Sequence, residues 1–152
     1  MAALSLALHA LASAIWVGGM FFAYVVLRPS VGPLETAERQ ALWQRVFSAF
    51  FPWVIGSIVA LLASGYWLLF VTYGGFGGAG VHIHIMHLTG LLMFLLFFHL
   101  FFVPWKRYRR ALAAADTADA GRWLGQIRMI IAINLGLGLF TIAIGASGRF
   151  WP

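Results

Sequence analysis

The sequence contains no cysteine, which excludes disulfides, iron–sulfur clusters and thiolate metal sites and is neutral about compartment. Charge is almost as scarce. Only 9% of residues are charged, against about a quarter in an ordinary soluble domain. The acidic residues number four, Glu35, Glu38, Asp116 and Asp119, and none lies inside a long apolar run. A proton pump or cation-coupled transporter places carboxylates at membrane depth, so these readings lose weight. There is no nucleotide-binding motif and no internal repeat.

What the sequence does have is apolar length. Hydrophobic residues make up 62% of the 152, gathered in four runs over 4–28, 46–73, 81–105 and 127–147. Each is close to the ~20 residues needed to cross a bilayer core. No stretch is left over for a separate soluble domain, so the expectation is one all-α domain over 1–152, a polytopic membrane four-helix bundle. The first run has no basic segment before it and is too long for a signal-peptide core, and it reads as a retained span.

Loop charge orients the bundle. Arg28, Arg39 and Arg45 follow span one, and Lys106, Arg107, Arg109, Arg110 and Arg122 follow span three, whereas "GGFGGAG" between spans two and three carries no charge. The positive-inside rule then puts both basic loops in the cytoplasm and both termini in the periplasm, in the inner membrane of a bacterium. Arg149 alone argues against this. The net charge of +6 fits topology and anionic lipid, and no nucleic-acid partner is expected. "ETAERQALWQRV" should run as helix into span two, with Gly121 ending a second loop helix. Pro52 falls near the start of span two, and Tyr66, Trp67, Tyr73, Trp105, Tyr108 and Trp151 suit an interfacial aromatic belt.

Four of the five histidines crowd into "VHIHIMHLTGLLMFLLFFHL", and ionisable groups at membrane depth are functional candidates by default. His9 in span one and His87 in span three each lie ~8 Å below the outer boundary at the helical rise per residue. Two imidazoles at matched depth on facing helices suit the axial ligands of a haem b. His84, one turn above His87, can point into the same bundle, and spacing alone leaves open which of the two is the ligand. His82 sits at the water boundary. His99 is ~18 Å further along the helix, where a second metal would need Met20, Met129 or an open position. A copper alternative uses His82, His84, Met86 and His87, in which Met86 supplies a soft thioether. Asn134 should make an interhelical hydrogen bond, and the span Ser and Thr hydroxyls should return to the backbone.

"HALASAIWVGGMFFAYVVLR", with His9, Trp16, Gly19 and Arg28, resembles the first helix of the CopD-like membrane proteins, a group that includes the HemJ-type porphyrinogen oxidases. "RVFSAFFPWVIGSIVALLASGYWLL", "FFVPWKRYRR" and "IRMIIAINLGLGLFTIAIGASGRF" carry the resemblance along the chain. It implies a four-helix module, with either copper resistance or copper passage across the inner membrane, or a b-type haem on a first-helix histidine matching His9. The resulting expectation is a haem b protein transferring electrons on the periplasmic side, its haem held by His9 and His87, with quinol or a redox protein as partner. Catalytic residues, and whether the chain is a haem-dependent oxidoreductase, stay open. The alternatives are copper handling of the CopD type, a HemJ-like oxidase, or an assembly subunit of a respiratory complex. A homo-oligomer is compatible with each.

Overall fold

The computed structural model describes residues 1–151, and of Arg149 the backbone alone. Helix α1 (Ala2–Phe21) passes through a π-helical stretch, Phe22–Leu27, into the short α2 (Arg28–Ser30). Then follow α3 (Thr36–Val71), α4 (Val81–Phe102), α5 (Pro104–Ala113) and α6 (Thr117–Ser147), with single 3₁₀ turns at Phe76–Gly78 and Gly148–Phe150. Among the described residues there is no strand. Four helical rods, 2–30, 36–71, 81–113 and 117–147, are long and apolar enough to cross a membrane, and the chain is a multi-pass membrane protein. Helices satisfy every backbone polar group internally, as the bilayer core demands. Their outer faces are as apolar as their inner ones: Leu4 and Leu88 are each 70% exposed and Trp53 66%, a surface suited to lipid and not to water.

Consecutive spans pair. α1 packs along α3, α4 along α6, and the two pairs join chiefly through α1 and α6. Four crossings bring both termini to one end of the bundle, called here the terminal end. The basic loops define the other.

Three details depart from the expectations raised by the sequence. α6 runs straight through Gly121, and the loop ends at Asp116, whose carboxylate accepts the Asp119 N–H at 2.9 Å. This N-cap satisfies a donor that the first turn would otherwise orphan. α3 starts at Thr36, well before the apolar run, so Pro52 lies inside a helix that continues past it. Trp105 and Tyr108 leave the aromatic belt for the core, 5% and 0% exposed, because α5 packs along α6 and the Tyr108 hydroxyl donates to the Gln40 carbonyl at 2.6 Å.

The basic half is filled by rings. Trp43, Phe47 and Phe51 stack along α3 at centroid spacings of 5.1 and 5.2 Å. Phe51 meets Phe97 and Trp105 edge-on at 5.6 and 5.3 Å, the offset geometries that aromatic quadrupoles prefer.

Candidate functional site

The terminal half is packed differently. α1, α3, α4 and α6 enclose a cavity of about 670 Å³, mostly apolar, whose deep end is lined by Trp16, Met93 and Phe94. Trp16 and Phe94 stack at 5.7 Å and separate the cavity from the aromatic ladder below. Small residues keep it open: Gly65, Gly90, Gly138 and Gly145 all line it. At Gly138 a Cβ would come within 2.7 Å of Val17 Cγ2, and at Gly145 within 3.0 Å of Met86 Sδ. The glycines of α6 thus let Val17 and Met86 lie directly on its backbone.

His9 enters the cavity from α1 with its ring fixed on two sides. Its Nδ1 is 3.0 Å from the Ser64 Oγ, while the Ser64 hydroxyl donates to the Ala60 carbonyl at 2.6 Å. With that proton committed, Ser64 accepts from Nδ1–H. This assigns the tautomer and leaves Nε2 as an unprotonated ligand atom. Next to Ser64, a Cβ on Gly65 would press to 3.1 Å of His9 Cε1, so any larger residue there would crowd the ring by a few tenths of an ångström.

His87 lines the facing wall on α4 and sits edge-on to Tyr66 at 5.5 Å and Phe76 at 5.2 Å. Met86 and His82 line the same space, His82 near the terminal end and edge-on to Trp151 at 6.4 Å. His84 does not line it: the side chain is exposed and stacks on Phe76 at 6.0 Å. His99 is exposed near the basic end of α4 and lies outside the cavity. The structure therefore gathers His9, His82, Met86 and His87 and leaves out His84 and His99. Among the described residues no three histidines or carboxylates cluster tightly enough to hold a metal unaided, so a bound ion would need Met86 or ligands from opposite walls.

The profile of the family CopD, copper resistance protein D, matches residues 44–147, more than half of the chain. The chain belongs to the CopD family. No curated protein and no solved structure matches it. The CopD match spans the cavity walls from α3, α4 and α6, with His82, Met86 and His87. It starts after α1, so His9 lies outside the matched residues.

Other polar groups behave as expected of a CopD-like bundle in lipid. Asn134 donates to the Met93 carbonyl at 3.2 Å across helices, and Ser13, Thr89 and Thr141 bond backbone carbonyls one turn back. Ser64 does this too, and its second role, anchoring His9 from 55 positions away, leaves no mark in the sequence. Outer-shell partners of metal-bound histidines are worth ~10–100-fold in affinity. If His9 holds a metal ion, Ser64→Ala should weaken its binding within that range while leaving helix content unchanged, as read by chelator competition and circular dichroism.

Proposed function

We propose that this CopD-family protein handles copper at its terminal-side cavity, taking the ion between His9 Nε2 on α1 and the Met86–His87 pair on α4. The observation that carries the reading is that ligand types suited to copper, from two separate helix pairs, line one cavity in a member of a copper-resistance family. Imidazole and thioether donors suit copper, thioether favouring Cu(I). The positive-inside rule puts this end in the periplasm, so the cavity is a receiving site for copper outside the inner membrane. The Trp16–Phe94 pair and the ring ladder beneath it close the way inward, so any passage to the basic side requires those rings to part.

A second reading rests on one observation, the cavity's size. A volume near 670 Å³ exceeds what a metal ion needs and falls in the ~300–1,000 Å³ range of organic-ligand sites. The donor set fits a haem b: His9 Nε2 and His87 would hold its iron from opposite walls, and the haem would supply one-electron chemistry. On this reading Ser64 fixes the His9 tautomer and the Trp16–Phe94 floor keeps water from the deep face.

Metal analysis and visible spectra, oxidised and dithionite-reduced, on one purified sample separate the two. The expected result is about one copper per chain, from two or three convergent ligands, with no Soret band. A Soret band with a reduced α-band would replace copper by haem, and a protein that binds neither on addition would overturn both.

A further inference from the structure

The basic end holds a group that the copper reading does not use. Arg128 points from the fourth span into the junction of the π-helical stretch Phe22–Leu27, α3 and α6. There, with Arg28, Tyr24 and Trp43, it lines a small cavity of about 10 Å³, room for a single water-sized atom. The Arg128 guanidinium lies over the Trp43 ring at 5.5 Å, and that of Arg28 over the Tyr24 ring at 4.9 Å. Two donors here are buried with no hydrogen-bond partner: Arg128 Nε and Trp43 Nε1. Trp43 is only 2% exposed. Buried N–H groups of this kind are nearly always satisfied in native proteins, and an orphan calls for an explanation.

The charge balance is also incomplete. Arg28 and Arg39 both lie close enough to Arg128 to repel its charge, and Arg39 spends its donors on the Gly32 and Leu34 carbonyls and Thr36. Asp119 pairs with Arg122 and also accepts from the Trp123 indole, and Asp116 caps α6. Among the described residues the Arg122–Asp119 pair is the only salt bridge, so neither Arg28 nor Arg128 is ion-paired with a carboxylate. An uncompensated, half-buried guanidinium is costly unless an anion meets it.

We propose that Arg28, Arg128 and Trp43 bind a phosphate oxyanion at the basic end of the bundle. One oxygen enters the small cavity against the indole and guanidinium N–H groups, and Arg28 meets the rest from the exposed rim. Guanidinium forks match phosphate geometry, and a span end is where a lipid phosphate lies. The oxyanion comes from an anionic phospholipid or from free phosphate.

The test uses the delipidated full chain in a neutral detergent, with native mass spectrometry reading one-to-one binding of phosphatidylglycerol and a parallel titration with inorganic phosphate. Saturable one-to-one binding is expected. Arg128→Gln should weaken it by about tenfold or more, the worth of a charged hydrogen bond. Arg28→Gln, at an exposed position that does not endanger folding, should weaken it by several-fold, and so should Trp43→Phe, which removes the N–H together with the five-membered half of the indole and keeps a six-membered ring against Phe47. Arg110→Gln, exposed on α5, should leave it unchanged. Phosphate that binds alone and displaces the lipid identifies a soluble source; lipid binding that phosphate does not disturb identifies the headgroup. Absence of saturable binding by either, binding indifferent to Arg28 and Arg128, or an equal loss in Arg110→Gln overturns the proposal.

Discussion

His9→Ala is expected to lower copper affinity by more than the ~10–100-fold typical of an outer-shell substitution, and His87→Ala by a similar factor. If both imidazoles hold one ion, the double variant should lose much less than the product of the single losses, because residues sharing a ligand are not additive. Competition with a calibrated Cu(I) chelator reads all three. His99→Ala should bind as the parent does, since that side chain is outside the cavity. Neither histidine anchors the fold: His9 is half-buried with one side-chain partner, and His87 makes ring contacts only. Wild-type affinity in His9→Ala with a weakened His87→Ala would shift the site onto α4 alone, with Met86 and His82 as the remaining donors. Wild-type affinity in both would remove copper from this cavity.

The largest expected effect on stability lies in the other half. Phe47 is completely buried, stacked between Trp43 and Phe51 and capped edge-on by Trp105 at 6.0 Å. Phe47→Ala should cost ~3–5 kcal/mol, the transfer and cavity terms for a buried phenyl ring together. Trp53→Ala, one of the lipid-facing changes, should stay within ~0.5 kcal/mol. Reversible unfolding in mixed detergent micelles measures both. The folded fraction of Phe47→Ala should still bind copper normally, because the Trp16–Phe94 floor separates the ladder from the ligands. A Phe47→Ala protein as stable as its parent would mean that the ladder is not what holds the basic half together.

Much of this molecule is legible in its amino-acid sequence. Four apolar runs define four spans because the bilayer tolerates little else, and the equal depth of His9 and His87 follows from counting residues at a fixed rise. Their presence on one cavity is consistent with that count, and the Asn134 and hydroxyl hydrogen bonds follow from chemistry that has few options in lipid. Azimuth is harder to read. His84 and His87 are only about 60° apart around a helix, and a hydrophobic pattern with no polar face does not say which of them turns inward. Arg128 gives no signal for a related reason. A charge in the first turns of a span is ordinarily a snorkelling residue, and its burial against Trp43 depends on how the π-helical stretch after α1 and α3 close over it. Gly121 does not stop a helix because a stronger local signal, the Asp116 cap, lies a few residues earlier. Trp105 and Tyr108 look interfacial by position alone, and only the packing of α5 along α6 makes them core.

The pairing of consecutive helices has a consequence for how the molecule is made. His9 and its anchor Ser64 belong to the first hairpin, α1 with α3, and Met86 and His87 to the second, α4 with α6. Chains leave the ribosome N-terminus first, so the first hairpin enters the bilayer with its imidazole already seated but facing nothing. The opposite wall arrives only when the second hairpin has inserted and closed against it. Whatever the cavity holds, occupancy certifies a finished molecule: a half-inserted or misdocked chain offers isolated histidines to lipid and cannot retain a ligand that needs both walls.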